Sequence, residues 1–306
     1  ALNQDPVNPF AQTALGLFYY NAGEPQRASI SFKQAIAKKV QHPLAWNLMI
    51  KILRKDRSYN SAYNIAKQAR LIFKDVQIYR HAIELAFQRN EYRDCIAFGE
   101  EGIEKTGDNR YFSYLVAQSY MKLNDYENAL ASFSHIGAKP DNREEHNLLY
   151  LDILISIVDQ KKKKLDELKN KEQDVPELAE AHDKALNDLE KDRNERAVLY
   201  DKKLTALLKV HRRNPRYLTL KANFYYRKEK FKQALKTFRG ITKSKEFLVH
   251  TAWLEFLNKI KPIGILSDPK ALEAISDLTG KLTIASKIGN NELRALANYR
   301  LGLIYS

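Results

Sequence analysis

Apolar residues recur along this chain every three or four positions, with small residues at regular places among them. A representative stretch contains Ala117, Tyr120, Tyr126, Ala129 and Phe133, separated by polar residues. Such spacing puts the apolar side chains on one face of an α-helix. Glycine and proline are scarce, at 11 and 9 of 306 residues, whereas a protein of strands and turns needs many such residues. The pattern therefore predicts amphipathic helices joined by short links.

The helical pattern itself repeats along the chain. The small residues Ala28, Ala62, Cys95 and Ala129 are separated by 34, 33 and 34 positions. A further copy has Ala234 at the same place, again among aromatic residues. A small residue lets two helix backbones approach closely, and the neighbouring aromatic residues fill the space beside the contact. The period therefore predicts helical hairpins stacked side by side.

These repeats resemble the tetratricopeptide repeat family. The segment Asn124-Asp125-Tyr126-Glu127-Asn128-Ala129-Leu130 is similar to the turn between the two helices of that family's unit. The resemblance covers residues 1–142 and 215–242 well and 245–306 weakly, and a half copy at Leu301–Tyr305 closes the chain. It implies an all-α fold, a right-handed α-solenoid of helical hairpins, in a bacterial-type scaffold protein.

The repeat spacing divides the chain into three predicted regions. Residues 1–142 hold four repeats, and residues 214–306 hold further repeats that end mid-repeat. The intervening region, 143–213, is longer than an ordinary repeat. We expect it to be one elongated hairpin, closed at Asp174-Val175-Pro176 and projecting as a coiled-coil-like arm. A three-helix arrangement of this region is the alternative.

The chain lacks targeting signals of the usual kinds. It contains no apolar run long enough to span a membrane and no leader of the signal-peptide type. We expect it to be a fragment of a longer protein, so its compartment, cytoplasm or cell envelope, stays undetermined.

No motif of catalytic chemistry stands out. Cys95 occupies the small-residue position of the third repeat, which favours a buried packing residue over a nucleophile. Gly280-Lys281-Leu282-Thr283 ends like a phosphate-binding loop, but the glycine required five residues earlier is Ile275. The seven histidines lack the spacing of paired metal ligands. We therefore expect no enzyme activity, no cofactor and no metal. An active site assembled across several repeats is the alternative.

Basic residues are concentrated in one short block. The net charge is +14, and residues 202–245 hold 15 lysines and arginines against the one acid Glu229, which accounts for the whole excess. The block is either a solvated helix surface or a docking surface for an acidic protein segment, an anionic membrane or nucleic acid. Because the repeat core uses the other aromatic residues, Tyr226 and Tyr217 remain to stack on a base. The expected basic patch comprises Lys202, Lys203, Arg212, Arg213, Arg227, Lys228, Lys230 and Lys232.

The family resemblance also implies an inner binding face. In that family the second, fifth, ninth and twelfth residues of each unit line the inner side of the curved stack. Amides there can bond a peptide backbone, cations can pair with carboxylates, and tyrosines can receive apolar side chains. The family's clamp for chaperone tails is not expected, since Thr13 and Leu17 stand where Lys and Asn are needed. The expected contact residues are Asn47, Lys51, Arg54, Arg80, Glu84, Tyr111, Tyr114, Gln118, Arg216, Asn223 and Tyr226.

These features together predict a non-catalytic scaffold that binds a partner segment in its concave groove, within a larger assembly. We expect a protein partner, with an acidic segment as one form, and nucleic acid is disfavoured. Two alternatives stay open. One is a nucleic-acid-binding or regulatory solenoid that uses residues 202–245, and the other is an envelope or motility-complex component whose anchor lies outside the fragment.

Overall fold

The computed structural model describes residues 8–39, 42–107, 109–134, 136, 143–169, 176–239, 252–255, 269–288 and 298. Throughout these ranges the regular secondary structure is helical, with no strand. The all-α fold predicted from the apolar spacing is confirmed. The helices are α1 (Pro9–Asn21), α2 (Pro25–Ala37), α3 (Pro43–Lys55), α4 (Tyr59–Ile72), α5 (Val76–Gln88), α6 (Tyr92–Thr106), α7 (Asn109–Lys122), α8 (Tyr126–Ser134), α9 (Glu144–Lys169), α10 (Pro176–Val210), α11 (Pro215–Arg227), α12 (Phe231–Arg239) and α13 (Pro269–Ile288).

The chain forms two compact units, residues 1–182 and 183–306. In the first unit each helix from α1 to α9 packs against the next one in the chain. The first helices of successive pairs also pack against each other, α1 with α3, α3 with α5, and α5 with α7. The second helices, α2, α4, α6 and α8, contact each other less. The first helices therefore lie on the inner side of the stack, as in an α-solenoid.

Small residues lie where the helices cross. A Cβ atom on Gly16 would lie 2.6 Å from Phe32 Cε1, and one on Gly99 would lie 2.8 Å from Ile83 Cδ1. Such distances are too short for carbon atoms, so these helices can approach only because the side chains are absent. The predicted anchor positions are confirmed, because the structure completely buries Ala28, Ala62, Cys95, Ala129 and Ala234.

The link between the two helices of a hairpin has one conformation in the five copies that the structure describes. In each copy the backbone amide three positions after the end of the first helix donates to a carbonyl oxygen of that helix, as Ser58 N does to Leu53 O at 2.8 Å. The reversal needs a left-handed residue, which closes the first helix and allows a very short link. That residue, two positions before the second helix, has φ of 78° at Gly23, 58° at Arg57, 62° at Asn90, 60° at Asn124 and 54° at Glu229.

Two helices are much longer than those of the repeats. α9 has 26 residues and α10 has 35, whereas α1 to α8 have 9 to 15. α10 begins at Pro176, as predicted, and His182 Nε2 donates to the Leu168 carbonyl oxygen at 2.9 Å. The link at Asp174-Val175 lies outside the described residues, so the projecting arm stays a prediction. None of the described helices combines the length and hydropathy needed to cross a lipid bilayer.

The second unit contains a further hairpin. α11 packs against α12, and the core of this hairpin contains Ala222, Ala234, Phe238 and Leu254. α13 begins at Pro269, and proline is favoured at the first position of a helix. The predicted half copy at Leu301–Tyr305 lies outside the described residues. The predicted boundaries after residues 142 and 213 stay predictions.

Candidate partner-binding surface

One carboxylate connects three successive first helices on the inner side of the stack. Arg54 on α3 donates from Nη1 to Glu84 Oε2 on α5 at 2.6 Å. The Tyr111 hydroxyl on α7 donates to the other carboxylate oxygen of Glu84. We call these three residues the polar ladder. All three were predicted as contact residues, and the structure brings them together across about 57 positions of sequence.

Two further predicted cations lie on the same helices. The Arg80 guanidinium lies 4.7 Å from the centre of the Tyr111 ring, a cation–π contact that orients both side chains. Lys51 on α3 is exposed, and no hydrogen bond or ion pair ties it within the described part of the chain. The inner face therefore carries Lys51, Arg54 and Arg80 as cations, and Glu84 already serves one of them.

Asn47 is held by the start of the next first helix. Its Nδ2 donates to Asp75 Oδ1 at 3.2 Å. The same Asp75 oxygen accepts the amide of Ile78 at 3.0 Å and so caps the N-terminus of α5. The amide of Asn47 is thereby fixed at the junction of two repeats, where its orientation follows from the fold.

His81 lies behind the polar ladder and is 8% exposed. Its Nδ1 lies 2.9 Å from Arg54 Nη1 and accepts a hydrogen bond, since arginine can only donate. Nε2 therefore carries the ring proton, and it has no hydrogen-bond partner in the described ranges. Burial, together with the charge of Arg54, lowers the pKa of His81 to about 4. His81 is therefore neutral near pH 7 and adds no charge to this face.

The predicted contact residues on α7 include two tyrosines, Tyr111 and Tyr114. Burial and the hydrogen bond to Glu84 raise the pKa of Tyr111, so its hydroxyl stays a neutral donor. Gln118 Nε2 donates to the Tyr114 hydroxyl at 3.1 Å, and the Tyr114 ring lies 4.7 Å from that of His146 on α9. Tyr114 and Gln118 thus form a pair of their own, anchored on α9.

The remaining predicted contact residues belong to the second unit. Arg216 and Asn223 are exposed on α11. Tyr226 is half-buried, and its hydroxyl accepts from Trp253 Nε1 at 3.4 Å. Within the second unit, Arg216 and Asn223 are therefore exposed, whereas Tyr226 packs against the core of its hairpin.

The basic patch is exposed at every predicted position except one. Lys203 is 8% exposed, so its assignment to the surface was wrong. It lies on the same face of α10 as the buried residues Tyr200, Leu204 and Leu207, at helical spacing. The exposed members are Lys202, Arg212, Arg213, Arg227, Lys228, Lys230 and Lys232.

The expectation that Tyr217 could stack on a base was also wrong. Tyr217 is 1% exposed and occupies the third position of α11, equivalent to Ala45 in α3 and Ile78 in α5, which are completely buried. Tyr226 is half-buried and lies 5.9 Å from the ring of Phe231. Tyr217 therefore offers no exposed ring to a base, whereas base stacking by Tyr226 stays a prediction.

Sequence reasoning missed two residues of this surface, Asp75 and His81. Asp75 stands directly before the apolar run of α5, which is a helix-capping signal that could have identified it. His81 lies one turn from Glu84 on α5, but only its packing against Arg54 from another repeat gives it a role. No group of three or more metal-binding side chains occurs among the residues that the structure describes.

The chain is similar in part to one family model and to several solved structures. The tetratricopeptide repeat model matches residues 112–135, within and around α7 and α8. A tetratricopeptide repeat protein from Parabacteroides merdae is 13% identical over 95% of this chain and 97% of its own, with a TM-score of 0.47. YrrB, a TPR protein with an unusual peptide-binding site, is 13% identical over 68% of this chain and 89% of its own, with a TM-score of 0.46. PilF of Pseudomonas aeruginosa is 16% identical over 52% and 73%, with a TM-score of 0.41. No curated protein matches the chain.

Proposed function

We propose, since the chain is a tetratricopeptide repeat protein, that it is a non-catalytic scaffold whose first helices α3, α5 and α7 bind an acidic protein segment. Solenoids of stacked hairpins serve as extended binding surfaces for proteins. The inner face of the first unit has the side chains for this task. We propose that the partner binds in the groove and that both proteins belong to a larger assembly.

The exposed cation Lys51 on the inner face is the observation that carries the proposal. No ion pair ties Lys51 within the described part of the chain, whereas Arg54 is paired with Glu84. The carboxylates Asp75 and Glu84 are already engaged, Asp75 by the cap of α5 and Glu84 by the polar ladder. A carboxylate on the partner would therefore pair with Lys51.

The fixed geometry of the face favours binding further. The polar ladder and the contact of Arg80 with Tyr111 hold these side chains in place before a partner arrives. Side chains that are already ordered lose little conformational entropy on association. The Asn47 side chain is ordered as well, because its amide is held at a repeat junction by the bond to Asp75.

Site-specific photo-crosslinking tests where a partner lies. A photoreactive phenylalanine analogue replaces Lys51 on α3 or, as the matched control, Asn64 on α4, since both residues are exposed. We expect cross-linked partner from the Lys51 position and little from the Asn64 position, and mass spectrometry identifies the protein. Equal cross-linking from both helices would contradict inner-face binding.

A peptide from the partner so identified tests the role of charge. Lys51→Glu should weaken its binding about tenfold, and adding Arg80→Glu should weaken it further, because partner carboxylates then meet like charge. Lys33→Glu on α2 makes the same charge change at an exposed residue of a second helix, and its affinity should stay within about twofold. Isothermal titration calorimetry measures the affinity of each variant for the peptide, and thermal unfolding checks that each variant is folded. Equal losses of affinity in Lys51→Glu and Lys33→Glu would contradict the proposal.

A further inference from the structure

A cluster of cations in the second unit is not used by the proposed function. Arg227, Lys228, Lys230 and Lys232 follow closely along the link between α11 and α12, and all four are exposed. Glu229 is the acid that stands among them. We call the four cations the basic turn.

The fold holds the basic turn at the tip of a hairpin. α11 ends at Arg227 and α12 begins at Phe231, so the chain reverses direction between them. The Lys230 amide donates to the Tyr225 carbonyl oxygen at 2.9 Å, which fixes the reversal. The Lys228 ammonium lies 4.6 Å from the centre of the Phe224 ring. Four cations are thus presented together from one end of a rigid helix pair.

The apolar side chains next to the basic turn are buried in the core of the hairpin. The apolar face of α12, with Leu235 and Phe238, is buried against Ala222 and Leu254. This face cannot insert into a lipid bilayer while the hairpin is folded, and Tyr217 is buried as well. The basic turn can therefore act on a partner through charge, without apolar insertion or base stacking.

We propose that the basic turn is a docking site for an anionic lipid surface. Three of its four cations are lysines, which are compact and strongly hydrated charges suited to a diffuse negative surface. The four cations lie within six successive positions at one hairpin link, whereas binding a nucleic-acid duplex through phosphates needs cations spread along its backbone. Each lysine or arginine near an anionic membrane increases binding roughly fivefold.

Vesicle flotation with the full chain tests this site. Wild type should bind vesicles of phosphatidylcholine mixed with phosphatidylserine and should not bind pure phosphatidylcholine. Binding should decrease steeply as salt shortens the Debye length from about 10 Å at 0.1 M to about 3 Å at 1 M. Lys230→Gln with Lys232→Gln should lower the partition coefficient about thirtyfold, at roughly fivefold for each lysine.

The matched control is Lys184→Gln with Lys191→Gln, which removes the same charge at two exposed lysines of α10. These lysines lie outside the basic block of residues 202–245, so vesicle binding should change less than about threefold. Circular dichroism of both variants checks that α11 and α12 stay folded. Equal losses in the two variants would overturn the site, because net charge would then explain the binding. Absence of binding to the anionic vesicles, or tighter binding to a short DNA duplex at equal phosphate concentration, would also overturn it.

Discussion

At the scale of single residues, Glu84 connects three helices of the inner face. Its two oxygens accept from different helices, one from Arg54 on α3 and one from Tyr111 on α7. The Glu84 and Arg54 side chains are 34% and 32% exposed, so solvent screens their attraction only partly. A carboxylate that serves two repeats at once restricts the position of one repeat relative to the next.

Glu84→Gln should therefore lower the free energy of unfolding by about 1 kcal/mol, because the amide keeps the shape but loses the charge-assisted bond to Arg54. Urea titration followed by circular dichroism measures the change. Glu104→Gln is the control, since Glu104 is 73% exposed and pairs only with its neighbour Lys105. Equal unfolding midpoints for the two variants would show that the polar ladder does not stabilise the stack.

His81 makes stability depend on pH. Its pKa is lowered to about 4 by burial and by Arg54, with a further contribution from Lys51, while Glu84 and Asp75 act in the opposite direction. In the unfolded chain the value is about 6.5. Between these values the unfolded state binds more protons, so the free energy of unfolding falls as the pH falls. The loss from this residue should reach roughly 2 kcal/mol by about pH 5.

The variant His81→Gln isolates this effect. It removes the titrating group, so its free energy of unfolding should change less than that of wild type between about pH 7 and about pH 5. Chemical denaturation at both pH values gives the two differences, and carboxylates that titrate in both proteins cancel. If the free energies of unfolding of wild type and variant changed with pH to the same extent, the pKa of His81 would not be lowered in the folded state.

The thiol of Cys95 should be unreactive in the folded protein. It is completely buried at the crossing of two helices, and burial raises its pKa to about 11. A disulfide reagent near pH 8 should therefore label Cys95 at least a hundredfold more slowly in buffer than in urea. Because this is the chain's one cysteine, the labelling rate reports directly on opening of the third repeat. Fast labelling in buffer would contradict the packing role of this residue.

At the scale of elements, the hairpins that begin with α1 and α11 agree in the detail of their caps. Asn8 Oδ1 accepts the amides of Phe10 and Ala11, and Asn214 Oδ1 accepts those of the corresponding residues of α11. Thr13 and Thr219 each donate to the carbonyl oxygen of the first helical proline at 2.8 Å. α11 therefore starts as α1 does, so the later repeat preserves local chemistry as well as apolar spacing.

The left-handed links offer a test at this scale. Arg57 has φ of 58° and is exposed, so its Cβ atom strains the backbone without a compensating contact. Arg57→Gly should raise the free energy of unfolding by about 0.5–1 kcal/mol. Asn90→Gly is the control and should give no gain, because asparagine tolerates this conformation and Asn90 Oδ1 accepts from Tyr92. Thermal unfolding measures both, and a stabilised Asn90→Gly with an unchanged Arg57→Gly would contradict this account of the link.

At the scale of the whole molecule, apolar spacing was sufficient to predict the architecture, and it was less informative about pairing. Small anchor residues such as Cys95 are a local signal, so the period predicted their burial correctly. The contact of Arg54 with Glu84 joins residues about 30 positions apart, and no local pattern specifies which cation meets which acid. Tyr217 was wrongly predicted to be exposed, although the repeat pattern could have shown its burial. Its position in the repeat is the same as that of the buried Ile78.

The repeats also differ in how fully neighbouring helices bury the apolar side chains of their first helices. In four of the first helices the tenth residue is apolar, and it is 2% exposed at Ile52 in α3, 0% at Leu85 in α5 and 4% at Phe224 in α11, but 65% at Phe18 in α1. α5 packs against helices on both sides, α3 and α4 before it and α6 and α7 after it, whereas α1 packs against α2 and α3. In a stack whose repeats touch only their neighbours, stability depends on such contacts.

Alanine substitutions at equivalent positions should therefore have very different effects on the free energy of unfolding. Leu85→Ala should lower the free energy of unfolding by about 2–5 kcal/mol, because it opens a cavity inside the stack. Phe18→Ala should change it by less than about 0.5 kcal/mol, because the Phe18 ring is mostly solvated. Hydrogen exchange of wild type should show the same gradient, with amides of α1 exchanging at least tenfold faster than those of α5. Equal costs for the two substitutions would mean that another surface covers Phe18 in solution, since an exposed ring cannot contribute the energy of a buried one.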